Sequence, residues 1–107
     1  MLTKGPLYYV DSADIKKIIT CNDDNGCTSS DRCSSLGTDA AIYFIDGSDD
    51  KNVIKCEKAG CTKHEVTENT ETFNDAGEVT KTIICVKNNS CVSSKGKYYE
   101  NIYIYIL

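Results

Sequence analysis

The sequence contains few of the residues on which catalytic, membrane-spanning and nucleic-acid-binding proteins depend. Among 107 residues there is no tryptophan, and there is a single methionine, a single proline and a single histidine. No apolar run approaches the roughly 18 residues of a membrane-spanning helix. The net charge is −4, and no dense Lys/Arg cluster is present. Nucleic acids and anionic membranes both require a basic footprint. We therefore expect no nucleic-acid partner and no membrane insertion.

Cysteine, in contrast, is abundant, with seven residues in a short chain. A chain of this size buries a thin core, so cross-links are expected to supply much of its stability. Zinc modules usually repeat C-x2-C or add a paired histidine motif, and neither pattern is present. We expect disulfides in an oxidising, extracellular compartment, with no metal and no cofactor. Because residues 1–10 contain no signal-peptide core, the chain is interpreted as a piece of a longer secreted precursor.

Three segments of the chain align with one another. In each, an aromatic residue precedes a cysteine by twelve positions, and an aspartate follows two positions after that aromatic residue. A second cysteine comes shortly after the first. The aligned pairs are Tyr9 and Cys21, Phe44 and Cys56, and Phe73 and Cys85. Such self-similarity indicates a copied supersecondary unit. We predict one domain, 1–107, with repeats at 7–33, 42–63 and 71–93 and a truncated fourth unit at 97–107.

Each copy is predicted to be a β-hairpin. Aromatic and β-branched residues stand at both ends of the segment, and a short run of Asp, Ser, Ala and Gly between them favours a turn. The closing run 102–107 alternates with a period of two, as a half-buried strand does. The predicted fold class is all-β, with tandem disulfide-stapled hairpins forming a small sandwich or a solenoid-like sheet.

Six cysteines form close pairs, so the simplest connectivity lies within each copy, although six cysteines allow 15 pairings and bonds between successive copies stay open. The seventh, Cys33, has no counterpart; it is a free thiol, an intermolecular partner or the mate of a cysteine in a neighbouring module. We assign no catalytic residues, because a cysteine nucleophile needs a base and His64 stands in a polar stretch interpreted as a solvated loop. The expected bonds are Cys21–Cys27, Cys56–Cys61 and Cys85–Cys91.

The copied pattern resembles a known family. The unit consists of Tyr-Tyr or Tyr-Phe, a hydrophobic residue, Asp, a small-residue turn and Ile-Ile-x-Cys, and Gly-Lys-Tyr-Tyr restarts it. This pattern is similar to the cysteine-rich repeats of scaffoldins from anaerobic gut fungi. The resemblance covers nearly the whole chain. It implies a cohesin-like module that binds dockerin-bearing plant-cell-wall-degrading enzymes in a cellulosome, next to neighbouring repeats of a longer chain. It carries over no residues that contact dockerin.

The tyrosines are the best candidates for a binding surface, because tyrosine combines contact area with a hydroxyl at a small entropic cost. Any single one is more simply explained as strand packing. Alternative hypotheses are carbohydrate binding, which the lack of tryptophan weakens, and a wall adhesin or spacer. Acidic turns are expected to bond their own backbone and not calcium, and Asn88 begins an N-x-S glycosylation triplet. The candidate partner-binding residues are Tyr8, Tyr43, Tyr98, Tyr103 and Tyr105.

Overall fold

The computed structural model describes residues 6–24 and 26–95, and they form an all-β protein. Nine strands make three separate three-stranded antiparallel sheets, each with its strands in chain order. We call these sheets, with their turns, the first, second and third unit. The strands are β1 (Leu7–Val10), β2 (Lys17–Asn22) and β3 (Gly26–Asp31); β4 (Ile42–Ile45), β5 (Asn52–Glu57) and β6 (Gly60–Glu65); and β7 (Thr70–Asn74), β8 (Lys81–Val86) and β9 (Val92–Lys95).

The unit is larger than the hairpin that the sequence predicted. The first two strands of each sheet do form that hairpin, with Tyr9 opposite Ile19, for example. The residues after the second cysteine then return as a third strand along the other side of the hairpin. The prediction missed this strand because polar segments such as 28–31 and 62–65 have no alternation of apolar residues to reveal it. The predicted fourth unit, 97–107, lies outside the described residues.

An aspartate at the end of the first strand organises each unit. Its Oδ1 accepts a hydrogen bond from the backbone two residues later, as in an Asx turn, and this holds for Asp11, Asp46 and Asp75. The Oδ2 atom faces the third strand instead. It accepts a hydrogen bond from Ser29 in the first unit and from Ser93 in the third. The aspartate therefore ties the turn and the third strand together.

The second unit replaces that serine with a lysine. The Lys63 Nζ atom lies 3.6 Å from Asp46 Oδ2, an oxygen that is buried and has no hydrogen-bond partner among the described residues. Burial of an uncompensated carboxylate is costly, so the ammonium group of Lys63 stabilises its charge in place of a hydroxyl donor.

The three disulfides lie within the units. They connect Cys21 to Cys27, Cys56 to Cys61 and Cys85 to Cys91. The first two join the second strand to the third, and the last joins β8 to the residue directly before β9. Bonds between successive units, which the sequence left open, are not formed by these six residues. Disulfides of this kind indicate folding in an oxidising environment.

The core consists of two small clusters, and each lies across a boundary between units. The first joins Ile18 of the first unit to Phe44 and Ile54 of the second. The second joins Val53 of the second unit to Ile83 of the third. Packing between units therefore supplies the buried apolar surface that one three-stranded sheet lacks.

Candidate functional site

A cleft lies where the three units meet. Its volume is about 640 Å³, and its walls come from β1, from the turn after β4 and from the turn after β7. Apart from the aspartates Asp46 and Asp75, its charged and larger apolar or aromatic wall residues at the cleft mouth include two apolar or aromatic side chains, three carboxylates and one ammonium group. They are Leu7, Tyr8, Asp49, Asp50, Glu78 and Lys81.

Tyr8 is the central side chain of this cleft. Its ring packs on Phe44 of the second unit, with 4.9 Å between ring centroids, and its hydroxyl reaches Gly77 of the third unit. A side chain on Gly77 would collide with that hydroxyl, so glycine is required for the approach. Partial burial raises the pKa of the Tyr8 hydroxyl, and the neighbouring carboxylates of Asp75 and Glu78 raise it further. The Tyr8 hydroxyl thus keeps its proton and offers a hydrogen-bond donor within an acidic surface.

The cleft is acidic, but part of its acidity is already used within the turns. Asp49 accepts hydrogen bonds from the Lys51 backbone and the Asn52 amide, and Asp50 accepts one from Ser90 of the third unit. Glu78 is exposed. Its carboxylate is therefore the acidic group of the cleft that is best placed to meet a cationic ligand.

The other candidate tyrosines divide into two groups. Tyr43 repeats the role of Tyr8 one unit further on, because its ring packs on Phe73 with 4.6 Å between centroids. Packing between units thus accounts for one ring face of each, while the remaining exposed part can still contact a partner. Their role as partner-binding residues stays a prediction. Tyr98, Tyr103 and Tyr105 lie outside the described residues.

Cys33 lies fully buried in the first core cluster, and it is the one unpaired cysteine of the chain. The connection after β3 carries Cys33 inward. Asp31 Oδ1 accepts hydrogen bonds from the backbone N–H groups of Ser34 and Cys33, and Asp31 Oδ2 accepts one from the Ser34 hydroxyl. Together these bonds lower the pKa of Asp31 to about 2. Burial raises the pKa of the Cys33 thiol. Within the described residues the thiol is therefore buried and protonated, and it forms no disulfide. The choice among the three predicted alternatives for Cys33 stays a prediction.

The Cys33 sulfur lies 3.4 Å from that of Cys61, and the sulfur atoms of Cys33, Cys56 and Cys61 all lie within 4.8 Å of one another. Three thiolates at this spacing could hold a metal ion. Two of these sulfurs are joined in a disulfide, however, and only thiolates are effective ligands. In the oxidised chain the cluster is therefore a packing feature.

His64 is not in a loop, as the sequence suggested, but on β6. Its Nε2 atom lies 2.9 Å from Glu71 Oε1, and its ring meets Phe73 edge-on with 5.7 Å between centroids. The hydrogen bond with His64 is the main reason that the pKa of Glu71 falls to about 2. Phe73 packs against the second core cluster, whereas Cys33 belongs to the first, so the structure does not bring the thiol and the imidazole into one site.

Asn88 is exposed in the turn between β8 and β9, with a φ of 69°. The acceptor triplet is accessible at that position, and glycosylation stays a prediction. No helix in the described part of the chain could span a membrane.

Comparison of the chain with protein-family models, with curated proteins and with solved structures found no match.

Proposed function

We propose that this chain is a non-catalytic, secreted protein-binding module, and that the cleft where its three units meet is the binding surface. In its most specific form the proposal is a cohesin-like scaffoldin repeat that binds dockerin-bearing plant-cell-wall-degrading enzymes in a fungal cellulosome. The specific form rests on the sequence resemblance. The general form is supported by the composition and shape of the cleft.

The single observation that carries the proposal is the position of Tyr8. One ring face is fixed by Phe44, while its hydroxyl lies beside Glu78 and Asp75. A tyrosine held in this way loses little entropy when a partner binds. Leu7, which is 43 % exposed, extends the apolar part of the same surface. The arrangement suits a partner segment that combines an aliphatic or aromatic side chain with a lysine or arginine.

Glu78 gives the cleanest test, because its side chain is exposed and lies in the cleft. We expect Glu78→Lys to weaken binding of a dockerin-bearing enzyme about tenfold or more, as expected for reversing a charge that faces a basic segment. Glu65→Lys is the matched control, since Glu65 is also exposed but ends β6 and does not line the cleft. Isothermal titration calorimetry at two salt concentrations measures both variants. Equal binding by the two would contradict the cleft as the binding surface.

Carbohydrate binding is the second candidate. The ring of Tyr8 could stack on a sugar, and the neighbouring carboxylates could accept hydrogen bonds from the sugar hydroxyls. Sedimentation with cellulose, xylan or chitin should deplete the chain from the supernatant under this hypothesis alone. If both the dockerin assay and the sugar assay fail, the adhesin or spacer hypothesis becomes the better one.

A further inference from the structure

The two junctions between units are built from the same backbone contacts. The Tyr8 carbonyl accepts a hydrogen bond from the Gly47 N–H at 2.7 Å, and the Tyr43 carbonyl accepts one from Ala76 at 2.8 Å. Tyr8 and Tyr43 hold the same position in their units, directly before the aligned aromatic residue. Gly47 and Ala76 likewise correspond. A side chain at Gly47 would lie 2.8 Å from the Tyr8 carbonyl oxygen, so the junction requires a small residue here.

A second backbone bond is also repeated. The Ile15 carbonyl accepts from the Cys61 N–H, and the Asp50 carbonyl accepts from Cys91, each at 2.7 Å. Ile15 and Asp50 both stand six residues after the aligned aromatic residue. Each donor is the second cysteine of its unit and lies opposite its disulfide partner at a Cα–Cα distance of 3.9–4.2 Å; Cys56 and Cys61 are also a pair in the sheet register. This short distance is typical of a non-hydrogen-bonded pair, whose N–H groups point away from each other. The N–H is thus free to bond the preceding unit.

Side chains complete the second contact. Ile15 lies over Gly60, the residue before Cys61, so closely that a Cβ on Gly60 would be 2.7 Å from the Ile15 side chain. At the next junction Ser90, the residue before Cys91, donates to Asp50 Oδ1 at 2.8 Å. The preceding unit therefore packs on the residue before the second cysteine, and we call that residue the seat.

The same positions are exposed at the two ends of the described chain. In the third unit they are Thr72 and Val79, which we call the trailing edge; Val79 is 88 % exposed. In the first unit they are Ser12, Gly26 and Cys27, which we call the leading face, and all three are exposed. The equivalent cysteines inside the structure are covered by the preceding unit, since Cys61 is 2 % exposed and Cys91 6 %.

We propose that the trailing edge binds the leading face of a second copy of this chain. Val79 sits on Gly26 of that copy, as Ile15 sits on Gly60. The Thr72 carbonyl accepts from the Ser12 N–H, and the Val79 carbonyl accepts from the Cys27 N–H. Ala76 shows that this place accepts a Cβ atom at the second junction, and Ser12 adds only a hydroxyl to it; no atom lies within 4 Å of where a Gly26 side chain would be. The two surfaces are thus complementary in both backbone groups and shape.

The contact is weaker than the internal junctions. Inside the structure each junction includes an aromatic pair, Tyr8 with Phe44 and Tyr43 with Phe73. Between copies the corresponding pair is Thr72 with Tyr9, which buries less surface. Because the two surfaces differ, the association is heterologous, and it generates open head-to-tail chains or rings instead of a closed two-fold dimer.

Sedimentation velocity on the full chain, from about 10 µM to about 1 mM, tests the proposal. The weight-average sedimentation coefficient should rise with concentration. Val79→Lys should weaken association at least tenfold, because it places a charged side chain against the seat, Gly26, of the second copy. Gly26→Asn should do the same from the other side, since asparagine tolerates a positive φ (here 70°) but occupies the seat. Val86→Lys is the matched control, at a valine that is 47 % exposed and outside the trailing edge.

Two results would overturn the proposal. One is a sedimentation coefficient that does not change over this range, which means that no second copy binds the trailing edge. The other is equal weakening by Val79→Lys and Val86→Lys, which means that association uses a different surface. Circular dichroism and a disulfide map establish that each variant is folded. Neither outcome depends on dockerin binding, which is measured separately.

Discussion

Three glycines of this chain give a graded test of the junction between the first and second units. Gly37 has no neighbouring atom within 4 Å and no positive φ; Gly26 has a positive φ but open space; Gly60 has a φ of 150° and lies against the side chain of Ile15. Alanine at Gly37 therefore adds neither strain nor a collision, and alanine at Gly26 adds backbone strain alone. Alanine at Gly60 adds backbone strain and a collision with Ile15. The series separates the conformational role of a glycine from its role in packing between units.

The expected magnitudes follow from these environments. Gly37→Ala should leave stability unchanged or raise it by about 0.5 kcal/mol through the unfolded chain. Gly26→Ala should cost about 1–2 kcal/mol for a side chain at positive φ. Gly60→Ala bears similar strain, and by displacing Ile15 it also loses the hydrogen bond to Cys61 and part of the apolar contact, so the total cost is about 3 kcal/mol. For a domain of this size each kcal/mol lowers Tm by about 4–8 °C.

Thermal and urea unfolding of dilute, oxidised protein measures the series, and the intact disulfides restrict the unfolded chain equally in all variants. The double variant Ile15→Ala/Gly60→Ala provides the internal control, because removal of the isoleucine side chain relieves the collision. Its cost should be lower than the sum of the two single costs by about 1 kcal/mol or more. A Gly60→Ala cost within about 0.5 kcal/mol of that for Gly26→Ala would refute the role of Gly60 in packing between the units.

Three further predictions concern the sulfur atoms and the acid stability of the protein. Cys33 should resist iodoacetamide in the native state and react once the chain unfolds, as mass spectrometry can measure. Cys33→Ser should lower the unfolding free energy by about 1–3 kcal/mol more than Cys33→Ala, because it buries a hydroxyl without a partner; urea unfolding measures the difference. Alanine at both positions of the Cys21–Cys27 bridge, where Cys21 is half-buried and Cys27 exposed, should cost about 2 kcal/mol by chain entropy. The same change at the buried Cys85–Cys91 bridge should cost more, since packing is also lost; equal costs in urea unfolding would contradict this. The pKa of Glu71 lies below its ordinary value of 4.5, at about 2. The contribution of its carboxylate to stability is therefore complete above pH 4.5 and is lost as the pH falls through about 2. Glu71→Gln should make the unfolding free energy depend less on pH over that interval, as urea unfolding at several pH values can measure.

The repeated Asp, aromatic and cysteine positions were readable because they fix local structure. An aspartate two residues after an aromatic bonds its own turn whatever surrounds it, and cysteines a few residues apart can close a loop within one unit. The buried valine and isoleucine positions of β5 and β8, such as Val53 and Ile83, were likewise visible as β-branched runs. These features depend on neighbours in sequence, and pattern reasoning therefore found them.

His64 and Cys33 show where such reasoning fails. The polar residues around His64 suggested a loop, but the third strand that contains it is held by pairing with β5, and its partner Glu71 comes from a different unit. Cys33 had no counterpart in the other copies, and its burial follows from the way the connection after β3 folds inward. Both outcomes depend on contacts between distant residues that no local pattern encodes.

The sequence by itself determined that the chain is all-β, that its turns begin at aspartates and that cysteines close together in sequence are available to close each unit, because all three depend on residues within a few positions of one another. Only the tertiary structure decided that each unit has three strands, that Tyr8 spans all three units, and that the core lies between units. A single sheet buries its apolar face only when another element packs on it. The positions that cover it are therefore chosen by how the units pack, which is a property of the folded chain as a whole.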